Sequence, residues 1–135
     1  LRLSNIYGPG MSKKNILSNI IRKLNNEKEI KVNNGFSIRD FIWVDDVIDA
    51  IIKVIEIDLN KSIFNVGSGY GISIKELINN IQSVYEKYLP VIFENEEGSS
   101  SIILDINDTK SRLKWEPKVS IKEGLSIIKY RKLYL

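Results

Sequence analysis

Apolar and polar positions alternate in two different periods along this chain, and the switches between them mark its elements. Leu1 to Ile6 reads as a short strand, broken by Tyr7-Gly8-Pro9-Gly10, because Pro and Gly continue a ladder poorly. Ile16, Leu17, Ile20, Ile21 and Leu24 recur at helical spacing, which predicts a helix capped at Ser12 and running to about Asn25. Glu29 to Val32 and Ser37 to Val44 read as strands around the Asn33-Asn34-Gly35 turn, so a hairpin is expected. Asp45 and Asp46 open a helix to about Ile57, with Val47, Ile48, Ile51, Val54 and Ile55 expected on its inner side.

Ser62 to Val66 is a further strand, ended by Gly67-Ser68-Gly69-Tyr70-Gly71. Ser73-Ile74-Lys75-Glu76 has the form of a capping box, in which Ser accepts from the third helical amide and Glu reaches back. The helix it starts carries Ile74, Leu77, Ile78, Ile81 and Val84 on one face. Short strands are expected at Val91 to Phe93 and Ile102 to Leu104, with the polar loop Glu94 to Ser101 between them. A short helix follows from Asp105, and a second capping box at Ser120-Ile121-Lys122-Glu123 opens a helix to about Arg131. Alternating strands and helices predict an α/β fold. A strand as the first element has no upstream neighbour, and parallel sheets need both faces covered. The expectation is the late part of a doubly wound parallel sheet plus a small mixed α/β cap, within one partial domain over residues 1–135.

Composition narrows the chemistry. The 135 residues include no Cys and no His, so this chain offers no disulfide, thiol nucleophile or imidazole base. A net charge of +3 is a small surplus. Its densest basic stretches, Ser12-Lys13-Lys14 and Lys129-Tyr130-Arg131-Lys132, are short and far apart, which argues against nucleic acid as a partner. No apolar run reaches the roughly 18 residues of a membrane span, and no signal peptide is visible, so a cytoplasmic protein is expected.

Four features are candidates for a site. The Gly67 to Gly71 turn follows a strand and precedes a helix, but its spacing is G-x-G-x-G rather than the dinucleotide fingerprint, which favours a plain turn. Asp45, Asp46 and Asp49 are the best cation ligands present, yet the first two also suit a helix dipole. Glu94, Glu96 and Glu97 read as a solvated acidic loop. Arg39 is the most informative residue. Alternation puts it with Phe41 and Trp43 on one face of a strand, opposite Asp40, Ile42 and Val44. A guanidinium in such surroundings needs an acceptor, and a structural carboxylate and a ligand phosphate both remain open.

Taken together, the motifs resemble a known family. Leu1 to Gly10, Arg39-Asp40-Phe41-Ile42-Trp43-Val44-Asp45-Asp46-Val47, Phe64-Asn65-Val66-Gly67-Ser68-Gly69, and Asp105 to Lys110 with Leu113, Trp115, Pro117 and Lys118 stand in one order. That order is similar to the later part of extended short-chain dehydrogenase/reductase enzymes of the NAD-dependent epimerase/dehydratase group, which act on nucleotide-sugars. The resemblance implies NAD or NADP bound mainly by a preceding Rossmann half that is absent here. It implies proton transfer by a Tyr-x-x-x-Lys pair, also absent: four residues after Tyr7, Tyr70, Tyr85, Tyr88 and Tyr130 stand Met11, Ile74, Leu89, Ile92 and Tyr134. No catalytic residue and no metal ligand is therefore assigned, and the chain alone is expected not to transfer hydride.

The resemblance further implies nucleotide-sugar binding through Asn5, Val32, Asn33 and Arg39. Val32 and Asn33 would lie at the base and Arg39 at the diphosphate, with Gly8, Pro9 and Gly10 near the nicotinamide. A second diphosphate Arg that is frequent in the family has no counterpart, and Ser101 stands in its slot. Lys114 replaces a usual Gly before Trp115, and Asp108 stands where Lys is common. Family members commonly dimerise. The alternative expectation is a non-catalytic remnant or binding module.

Overall fold

In the computed structural model, which describes residues 1–57, 63–95 and 97–131, the opening strand divides in two. β1 (Arg2–Leu3) pairs in parallel with β5 (Asn65–Val66), and β2 (Asn5–Tyr7) pairs in parallel with β4 (Ile38–Trp43). Ser4 is the joint between them, and its amide donates to Val66 O at 3.0 Å. β4 also carries the antiparallel β6 (Gly71–Ser73) and the parallel β8 (Ser101–Ile102). The parallel strands and the helices packed on them give the expected α/β fold.

The hairpin does not form. β3 (Ile30–Val32) pairs in parallel with β7 (Val91–Phe93), more than fifty residues away. The Asn33-Asn34-Gly35 turn instead redirects the chain: Asn34 Oδ1 accepts from the amides of Phe36 and Ser37 at 2.9 and 3.0 Å. Gly35 is needed there because a Cβ would lie 2.4 Å from the Phe93 ring. β6 was not legible, since three residues around a glycine carry no period. Nor does Ser62 bear on β5, because it lies outside the described residues, as do Glu96, Lys132 and Tyr134.

Helix positions follow the pattern more closely than caps do. α1 (Ile16–Asn26) is capped by Asn15, not Ser12. Asn15 Oδ1 accepts from Leu17 N at 2.9 Å, while its amide donates to Ile6 O at 3.1 Å and ties the helix to the end of β2. α2 (Val44–Glu56) starts one residue early, so Val44 is helical. α3 (Ile74–Tyr85) and α5 (Ile121–Tyr130) have complete capping boxes at Ser73/Glu76 and Ser120/Glu123. α4 (Asn107–Leu113) ends at Lys114, which takes a left-handed conformation with φ +48°.

α2 corrects one expectation about packing. Val47 and Ala50 are buried, but Ile48 is 47% and Ile55 78% exposed, and Ile51 and Ile52 also face out. The rotation is fixed by Asp46. Its carbonyl accepts from Trp115 Nε1 at 3.1 Å and its carboxylate from Val119 N at 3.1 Å. That places Val47, Ala50 and Val54 inward against Ile42, Phe64, Val66 and Trp115.

The larger core joins α1, α3 and α5 to one face of β4 through Leu17, Ile20, Leu24, Phe41, Trp43, Leu77, Ile81 and Leu125. Tyr7 is buried at its centre, edge-on to Trp43 at 5.4 Å, and its hydroxyl donates to Ser120 O at 3.1 Å. Burial, with the negative charges of Asp46 and Glu123, pushes the Tyr7 phenol well above its ordinary value. Gly124 makes room for this ring, since a Cβ there would lie 2.3 Å from the Tyr7 oxygen. Among the described residues no helix is long and apolar enough to cross a membrane.

Candidate functional site

The strict alternation of β4 sorts two charges onto two faces. Asp40 is fully buried, and its carboxylate accepts from Ser68 N (2.8 Å), Ser68 Oγ (2.7 Å), Gly69 N (3.2 Å) and Leu104 N (3.3 Å). These donors hold the carboxylate in place of a cation. The same bonds explain the glycine-rich turn. A Cβ at Gly67 would sit 2.4 Å from Asp40 Oδ2, and Gly69 has φ +75°. The turn amides of Ser68 and Gly69 are thus spent on Asp40 rather than presented to a phosphate.

Arg39, on the other face, is half-buried. Its Nη1 donates to Ile38 O and Ser100 O at 2.8 Å each, and its Nη2 to Ser100 Oγ at 2.9 Å. All of these acceptors are neutral oxygens. They orient the guanidinium without neutralising it, so among the described residues no carboxylate takes the structural role.

Beside Arg39 lies a cavity of about 400 Å³, within the range of small-molecule sites. It is walled by Asn5 of β2, Ile16 and Asn19 of α1, and Lys31 and Val32 of β3. The Asn33-Asn34 turn, Ser37 and Ile74 complete it. Four residues singled out in the sequence, Asn5, Val32, Asn33 and Arg39, therefore meet in one cleft. Ser101 is exposed in β8 and does not line it; the neighbouring Ser100 is the residue that touches Arg39. Gly8, Pro9 and Gly10 also lie outside the lining. Gly8 is required by packing, because a Cβ would meet Val44 Cγ1 at 2.6 Å, whereas Gly10 faces open space.

Among the described residues, the lining holds two cations, Arg39 and Lys31, and no carboxylate. Lys31 is ion-paired with Glu29 at 2.8 Å; the hydrogen bond and charge of Glu29 raise its ammonium above the ordinary value. Asn5 donates its amide to Asp40 O at 2.9 Å, which turns its Oδ1 away from that bond. Asn19 and Lys31 were missed by sequence reasoning. Lys31 had a signal, as a polar position between two buried strand residues. Asn19 had one too, as a residue that favours helices poorly placed mid-helix.

The aspartates are dispersed. Asp45 accepts from Trp43 Nε1 at 2.9 Å, Asp46 holds Val119 N, and Asp49 pairs with Lys118 at 2.9 Å. Among the described residues no group of three acidic side chains is placed to hold a metal. A second cavity of about 330 Å³, lined by Phe41, Tyr70, Ile72 and the Pro117 to Ile121 segment, is walled by a different set of residues.

Comparison with known proteins bears on the family and the fold. The model of the NAD dependent epimerase/dehydratase family matches residues 1–67, which contain β1 to β4 and most of the cleft. By this match the first half of the chain is similar to that family. It is 31% identical over 131 residues to dTDP-4-dehydro-6-deoxyglucose reductase of Escherichia coli, covering 93% of the chain and 42% of the relative. It is 31% identical over 134 residues to dTDP-L-rhamnose 4-epimerase of Burkholderia thailandensis, covering 93% of the chain and 37% of that protein. Among solved structures, UDP-glucose 4-epimerase from Thermotoga maritima with UDP-glucose superposes with a TM-score of 0.82 at 29% identity. That match covers 97% of this chain and 44% of the epimerase. The chain thus spans less than half the length of these family members. The relatives differ in chemistry, and one solved neighbour, from Pseudomonas aeruginosa, is complexed with NADPH; at 22% identity and a TM-score of 0.86 it shares the fold.

Proposed function

We propose that this chain is the nucleotide-sugar-binding portion of an NAD(P)-dependent epimerase, dehydratase or reductase. The observation that carries the reading is Arg39: a half-buried guanidinium, fixed by three neutral acceptors, facing a cleft in which no described residue is a carboxylate. A diphosphate supplies the missing negative charge, and Arg can grip it with two parallel bonds. Val32 and Asn33 would take the base and Asn5 the sugar side, with Ser100, not Ser101, beside Arg39 at the diphosphate end. Gly8, Pro9 and Gly10 would approach the nicotinamide.

Beyond that approach, this chain offers no dinucleotide fingerprint. The Ser68 and Gly69 amides serve Asp40, and the Gly8-Pro9-Gly10 turn between β2 and α1 lacks the G-x-G-x-x-G spacing. Cofactor binding, hydride transfer and proton transfer are accordingly assigned to a Rossmann half outside this chain. The outward stripe of Ile48, Ile51, Ile52 and Ile55 on α2 supports a partner surface of that kind. The alternative, a binding module without catalysis, shares the same cleft and differs only in lacking that half.

The test is a calorimetric titration with UDP, dTDP, CDP and GDP. A charge-assisted contact contributes on the order of 1.5–3 kcal/mol, so Arg39→Ala should raise the Kd of the best ligand about tenfold or more. An unchanged Kd removes Arg39 from the site and the reading with it.

A further inference from the structure

Asn19 is the one cleft-lining residue of α1 whose side chain carries polar groups. Ile16 precedes it by one turn and also lines the cleft; Lys23 follows by one turn and donates to the Lys31 carbonyl of β3. Asn19 is therefore held over β3, the wall where Val32 and Asn33 stand. Its backbone amide completes the first turn by donating to Asn15 O at 2.9 Å. Its half-buried carboxamide makes no hydrogen bond among the described residues, whereas the carboxamides of Asn5 and Asn34 in the same lining each donate to a carbonyl. Asn is a poor choice mid-helix, where Ala or Leu is preferred. A half-buried amide without a partner in the protein adds no bond to the free fold.

We infer that Asn19 is a specificity-determining residue of the cleft, whose carboxamide hydrogen-bonds the polar edge of the nucleotide base. This rests on the nucleotide-sugar reading above. A carboxamide presents one acceptor and two donors side by side, which matches the adjacent donors and acceptors of a base edge. The guanidinium of Arg39, by contrast, stands on β4 and is anchored by Ser100. Base and diphosphate are thus read by separate residues on separate elements.

The separation makes the inference testable with two probes, a nucleoside diphosphate and inorganic pyrophosphate. In the 135-residue chain, Asn19→Ala should weaken the best of UDP, dTDP, CDP and GDP fivefold or more and leave pyrophosphate affinity unchanged. The melting temperature of the ligand-free variant should be equal or higher, because no native bond is lost. Arg39→Ala should weaken both probes. Unchanged nucleoside diphosphate affinity in Asn19→Ala overturns the inference while leaving the Arg39 site standing. A matching loss for both probes together with a lower melting temperature also overturns it, by making Asn19 structural. If the unaltered chain binds neither probe, the cleft reading fails and this inference fails with it.

Discussion

Neighbouring residues in β4 carry opposite tasks, and a single period separates them. Asp40 turns inward to collect the Ser68, Gly69 and Leu104 amides, while Arg39 turns to the cleft. That alternation was readable from Arg39-Asp40-Phe41-Ile42-Trp43 alone. The identity of their partners was not, because Ser68, Ser100 and Leu104 are distant in sequence and only the fold brings them together. Lys114 shows the converse. A lysine replaces the glycine usual before Trp115, and the backbone keeps the left-handed conformation at φ +48°. That conformation costs a non-glycine residue about 1–2 kcal/mol, offset in part by the greater chain entropy glycine loses on folding. Lys114→Gly should therefore stabilise the chain by about 0.5–1 kcal/mol, read as a higher urea midpoint with an unchanged slope.

Elements were legible where local chemistry decides them. Both capping boxes formed, since Ser and Glu three residues apart satisfy each other without help from the rest of the chain. In each box the Ser hydroxyl and amide hold the Glu carboxyl below its ordinary value of 4.5. A lowered folded value means stability that is present above 4.5 and is lost as pH falls through the folded value. The unaltered chain should thus lose stability more steeply as pH falls below about 5 than Glu76→Gln/Glu123→Gln, in which neither box titrates. Urea midpoints across that range measure the difference; parallel curves would show that the boxes contribute no pH dependence. Elements failed where a distant partner decides them. The Asn-Asn-Gly turn has hairpin chemistry, yet β3 finds β7 because Ile30 and Val32 must bury against α1 and α3. α2 was assigned the wrong inner face, since five apolar residues fit more than one stripe and the deciding contacts come from Trp115 and Val119.

At the scale of the molecule, the cleft is a product of topology. β2 brings Asn5, α1 brings Asn19, β3 brings Val32 and Lys31, and β4 brings Arg39. No local pattern announces that meeting, and only the resemblance of whole motifs put Asn5, Val32, Asn33 and Arg39 on one ligand in advance. On the proposed reading, Arg39 takes the diphosphate, Val32, Asn33 and Asn19 the base, and Asn5 the sugar side. The most direct measurement is a two-dimensional amide and guanidinium NMR titration of the isotope-labelled chain with UDP, dTDP, CDP and GDP. The account predicts saturable shifts at Asn5, Asn19, Val32, Asn33 and the Arg39 side chain. Shifts confined to the Phe41, Tyr70 and Ile121 cavity, or none with any of the four, would contradict it.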